Sequence, residues 1–92
     1  MKRKDYPVYT GVLKYFPKAL MEVSKVSKIG NDQHNPNQPL HWSKEKSNDH
    51  PDALTRHLLE AEDIDEDGVL HLAKVAWRAL AWLETKLEKN EK

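Results

Sequence analysis

The apolar positions of the first fifteen residues follow no helical stripe. Tyr6, Val8, Tyr9, Val12, Leu13 and Tyr15, with Phe16 just beyond, make residues 1–15 too apolar for a free tail, while Pro7 and Gly11 argue against a long helix. The pattern predicts an arm that packs on the core or on a neighbouring subunit, with Tyr9 or Tyr15 offering a ring for a base to stack on as the alternative. Helical spacing begins at Pro17, a residue suited to a first turn because it has no amide to leave unpaired. Leu20, Val23 and Val26, flanked by Ala19 and Ser27, share one face of a helix running to Ile29, and Gly30-Asn31 is its expected stop. A polar connection over 30–48 follows, with Leu40 and Trp42 as its anchors to the core. Asp49 and Pro51 open a short second helix, about 49–61, in which Ala53, Leu54, His57, Leu58 and Ala61 recur at helical spacing. The third helix is the longest, from about Asp67 to Lys89, with Asp65 or Asp67 as its cap. Leu72, Ala76, Ala79, Leu83 and Leu87 form one stripe, and Val69, Ala73, Trp77 and Leu80 widen it. Residues 88–92 are a solvated, fraying tail. No segment alternates as a strand does.

The predicted architecture is therefore all-α: a single domain over 1–92, a small bundle of about three helices with a long 30–48 loop, completed by oligomerisation. The length supports the last point. A 92-residue chain buries a small core, and such chains gain stability from disulfides, metals or partner subunits. With no cysteine, disulfides and thiolate metal sites are excluded. Trp77 and Trp82 lie five residues apart and cannot share one narrow stripe, which predicts a second buried face and self-association.

Fifteen basic residues balance fifteen acidic ones, so no long nucleic acid is expected as a partner. No apolar run approaches the roughly 20 residues that span a bilayer, and the basic start has no apolar stretch behind it, so no membrane partner or secretory signal is expected.

Five histidines is a high count for this length, and they coincide with acidic residues. His57 stands three residues before Glu60, and His71 opens the third helix beside Lys74, Val75 and Arg78. Glu22 is an isolated carboxylate in the first helix, and Asp49, Asp52, Glu60, Asp63 and Asp67 are further oxygen donors. Carboxylates suit hard divalent cations, imidazoles softer ones, and facing helices can assemble both. A capped, solvated turn explains the acids equally well. Asp63, Asp65, Asp67 and Gly68 fit the first half of a calcium-binding EF-hand loop, but Lys74 stands where the closing glutamate belongs, which argues against calcium. Lys25, Lys28, Arg56, Lys74 and Arg78 supply positive charge near the same elements, suited to phosphates or to ordinary ion pairs. No nucleophilic triad, phosphate-binding glycine loop or dinucleotide fingerprint occurs.

Three blocks carry a resemblance: Gly30-Asn-x-x-His34-Asn-Pro-x-x-Pro39-Leu-His41-Trp42; Lys46-Ser-x-Asp49-His50 followed by Arg56-His57-Leu58; and Asp65-x-x-Gly68-x-x-His71-x-Ala73-Lys-Val-Ala-Trp77-Arg-Ala-Leu80. Together, over about residues 11–87, they resemble the dATP/dGTP diphosphohydrolase N-terminal domain family of phages and bacteria. The resemblance implies an all-α fold, a purine deoxynucleoside triphosphate as substrate, and metal-assisted attack of water releasing pyrophosphate, with Mg²⁺ or Mn²⁺ as cofactor. Glu22, His34, His41, His50, Arg56, His57 and His71 stand at matching positions. On this reading Glu22 and His57 are catalytic. Glu22, His50 and His71 hold the metal. Lys25, Lys28, His34, His41, Trp42, Arg56, Lys74 and Arg78 contact the substrate. With neither a spanning run nor a secretory signal, the expected location is cytoplasmic, in an infected or host bacterial cell. The family name denotes an N-terminal domain, so turnover that needs a further domain would leave nucleotide binding alone. Two other readings fit the same residues: a catalytically silent nucleotide binder that sequesters a host antiviral signalling nucleotide, and a structural or protein-interaction module.

Overall fold

A computed structural model describes residues 1–46 and 48–89. It is all-α: α1 spans Pro17–His34, α2 His50–Leu58 and α3 His71–Lys89. Short helical turns at Arg3–Asp5 and Tyr9–Leu13 precede α1, and another at Lys44–Lys46 precedes α2. α3 is the central element, with α1 and α2 packed against it.

Residues 1–10 are exposed throughout, so the arm does not pack on its own core. Its Tyr9–Leu13 turn is a wide one, closed by the Lys14 amide donating to the Tyr9 carbonyl, and Pro17 then restarts the chain as a regular helix.

α1 runs one turn further than the sequence pattern suggests, so Gly30 and Asn31 do not end it and His34 lies on its last turn rather than in the loop. Pro36 explains the difference. Asn35, the residue before it, is forced out of helical conformation (φ −135°, ψ 62°). Asn31 is buried and serves the loop instead. Its side-chain amide donates to the Gln38 carbonyl and its oxygen accepts the His41 amide, each at 3.1 Å. The loop thus begins at Asn35, not at residue 30. Leu40 is exposed and anchors nothing, whereas Trp42 is half-buried edge-to-face on Trp77 at 5.4 Å between ring centres.

α2 ends at Leu58, shorter than expected. Asp49 sits at its N-cap position without making a side-chain cap, because its carboxylate lies beside Arg56 and Arg78. The chain then returns through a tight hairpin. The Asp65 amide donates to the Val69 carbonyl, the Gly68 amide to the Asp65 carbonyl, and the His71 amide to the Asp63 carbonyl. Gly68 takes a left-handed φ of 84°, which glycine adopts without steric cost. This hairpin delays α3 to His71, so neither Asp65 nor Asp67 caps it.

The apolar core is small. Ala53, Val69, Ala73 and Ala81 are its buried members among the described residues. Leu72, Leu83 and Leu87 of the predicted stripe stay about half exposed, whereas Ala73 and Trp77 from its predicted flank, together with Ala81, meet the neighbouring helices. No described helix is long and apolar enough to cross a membrane.

Candidate functional site

The 63–71 hairpin brings three donors together. His57 from the last turn of α2, His71 from the first turn of α3 and Asp65 from the hairpin offer ligand atoms that all lie within 4.8 Å of one another. The two Nδ1 atoms are 2.8 Å apart, so one imidazole donates and the other accepts. His71 Nε2 faces Asp65 Oδ1 at 3.7 Å and Glu60 at 3.9 Å. His71 thus turns Nδ1 to His57 and Nε2 towards the carboxylates. Burial, reinforced by the nearby Lys74 and His71, pushes the His57 imidazole below its ordinary pKa despite Asp65, so it is neutral at pH 7. Two imidazoles and a carboxylate form a donor set for a transition-metal ion.

Lys74 borders this group. Its ammonium lies 2.6 Å from both Asp65 and Asp67, two of the acids in the half-formed EF-hand pattern. Burial pulls the Lys74 pKa down, but hydrogen bonds to the two carboxylates outweigh it and the net shift is upward. The same bond holds Asp65 below the usual carboxylate range. The lysine is a covalently attached counter-ion, which agrees with the sequence argument against calcium.

A cleft of about 830 Å³ opens beside the donors, between the C-terminal half of α1, the 35–46 loop and the start of α3. Its size falls within the range of small-molecule sites. Trp42 and Trp77 supply an aromatic wall, and Lys46, Lys74 and Arg78 supply positive charge. Trp77 Nε1 donates to Ser27 Oγ at 2.8 Å, which ties α1 to α3 across the floor.

Of the residues singled out from sequence, His34, His41, Trp42, His57, Lys74 and Arg78 line this one cleft, and His71 stands behind His57. The others lie elsewhere. Glu22 pairs with Lys25 at 3.0 Å on the surface of α1, and Lys28 pairs with Asp32 at 3.1 Å. Arg56 reaches Asp49 at 3.4 Å. His50 is buried and apart from the donor group. Its Nδ1 accepts from Arg78 at 3.1 Å, and burial first, then Arg78, lowers its pKa. Lys46 and Asp65 were not among the assigned site residues. The Asp-x-Asp-Gly turn two residues before His71 is the signal that would have placed Asp65 beside that histidine. For Lys46, its place at the head of the Lys46-Ser-x-Asp49-His50 block is the signal.

The family described as dATP/dGTP diphosphohydrolase, N-terminal, matches residues 2–92. No curated protein and no solved structure matches the chain.

Proposed function

Because the chain belongs to the dATP/dGTP diphosphohydrolase N-terminal family, we propose that its cleft binds a purine deoxynucleoside triphosphate and hydrolyses it to the monophosphate and pyrophosphate. The observation that carries this reading is the convergence of His57, Asp65 and His71 from three segments at the edge of a cleft lined by aromatic and cationic side chains. Water attacks the α-phosphorus, the bond to the oxygen bridging the β-phosphate breaks, pyrophosphate leaves, and the water proton passes to solvent.

His57, Asp65 and His71 would hold a divalent cation. Their two imidazoles suit Mn²⁺ better than Mg²⁺, which prefers oxygen and keeps its water. Such an ion supplies a more acidic bound water and neutralises phosphate charge. Lys46 and Arg78, which line the same cleft, would screen the triphosphate, Arg78 with a fork that can engage two oxygens. Trp42 gives the base an apolar face, and its position is fixed by Trp77 and by the Asn31 clasp on the loop. His57 is then a ligand together with His71 rather than a free base.

The test is pyrophosphate release from dGTP and dATP with Mn²⁺ or Mg²⁺. Turnover is expected, and His71→Gln is expected to reduce it about 100-fold. No pyrophosphate across both nucleotides and both metals would remove the enzymatic reading. One observation favours a second reading, a silent nucleotide binder: Lys74 already occupies Asp65. Calorimetry showing tight binding, with the nucleotide recovered intact, would decide for it.

A further inference from the structure

α3 carries apolar residues on the side turned away from α1 and α2. At about 100° per residue, Leu72, Ala76, Ala79, Leu83 and Leu87 fall within about 80° of one another, with Leu80 at the margin. No charged residue interrupts this sector among the described residues. The four leucines are each about half exposed, and so is Trp82 to one side.

We infer that this face of α3 is the contact with a second copy of the chain, in an antiparallel crossing centred between Ala76 and Ala79. Three observations select a second copy as the occupant. First, the buried apolar residues of the described chain are three alanines and Val69. So small a core gains stability from a partner surface, and a second copy of the chain is always at hand. The Cα radius of gyration, 14.5 Å, also exceeds the 12–13 Å or so of a self-contained domain this long. Second, the face is self-complementary. An antiparallel twofold centred between residues 77 and 78 sets Ala76 against the partner's Ala79 and Leu72 against the partner's Leu83. Small residues then stand at the closest approach with leucines on either side, and each contact occurs twice, as twofold symmetry demands. Third, the chain has no net charge, so two copies meet without bulk repulsion. The four leucines and Trp82 leave on the order of 500 Å² per copy, so two copies join about 1,000 Å², the threshold of a specific interface.

This inference does not rest on the nucleotide reading, and its test needs no nucleotide. Sedimentation equilibrium of the whole chain from about 1 to 100 µM is expected to give twice the 10.7 kDa chain mass. Leu83→Glu is expected to weaken association at least 100-fold. Should that variant fail to fold, cysteine cross-linking still decides, since the native chain has no cysteine. Ala76→Cys mixed with Ala79→Cys is expected to oxidise mainly to the mixed disulfide rather than to either self-pair. A monomer at 100 µM overturns the proposal, as does a dimer indifferent to Leu83→Glu. Self-pairs of Ala76→Cys in excess of mixed pairs overturn the antiparallel crossing.

Discussion

The two sides of α3 are held by different physics. Towards α2 and the hairpin, the contacts are polar and directional: Lys74 between Asp65 and Asp67, His57 on His71, and Arg78 on His50, all around a few buried small side chains. Towards α1, the Trp77 indole donates to Ser27 while Trp42 of the loop packs edge-on against Trp77, and the ion pairs of α1 lie on its own surface. The contrast teaches that an ion pair's worth depends on where it sits. Lys74 and its two aspartates are largely withdrawn from solvent, whereas Lys25 and Lys28 remain in it. Removing one partner from the first cluster strands charge in a poorly solvated turn, while removing one from the second returns its partner to water.

Four substitutions or titrations sharpen this contrast. Lys74→Met is expected to cost the most, about 2–4 kcal/mol by urea denaturation, because Asp65 and Asp67 then face each other without a cation. A loss comparable with that of an exposed α1 pair would show the cluster to be incidental. Val69→Ala follows, at about 2 kcal/mol, since it removes the largest fully buried side chain and leaves a cavity beneath the hairpin. Differential scanning calorimetry would record it.

The third is a pH effect. His50 is buried against the Arg78 guanidinium with Asp49 beside it, and its folded pKa lies below its ordinary value. The unfolded chain therefore takes up the proton first as pH falls below about 6.5. Stability is full above that value and declines as pH drops through the folded pKa. His50→Gln should flatten that part of the thermal-midpoint profile from pH 7 to 5, and an unchanged slope would assign the effect elsewhere. Smallest is Lys28→Ala, expected to change stability by less than about 0.5 kcal/mol and to lose even that in high salt.

The three helices and their order were legible from 3.6-residue spacing and from Pro17 and Pro51, and the family from the His-rich blocks. Their ends were less so. Gly30-Asn31 has the composition of a stop, yet Pro36 sets the end by a backbone clash that acts on Asn35. Asp67 has the composition of a cap, yet the hairpin gives Asp65 and Asp67 a stronger claimant in Lys74. For the site, the sequence supplied the histidines but not which two would meet. That depends on a turn whose closure, by the Asp63 and Val69 carbonyls, leaves no periodic trace. The leucines of α3 were read as core because spacing reports that a face is apolar, not what covers it.

One wall of the cleft depends on the single side-chain amide of Asn31, which grips the loop at Gln38 and His41. Because that amide belongs to a helix, the loop arrives already shaped and a ligand meets a surface that does not have to be ordered on arrival. One side of the opening is thus set by α1, a different element from those that carry His57 and His71. Changes at position 31 would alter how firmly a molecule is retained while leaving the reactive groups where they are.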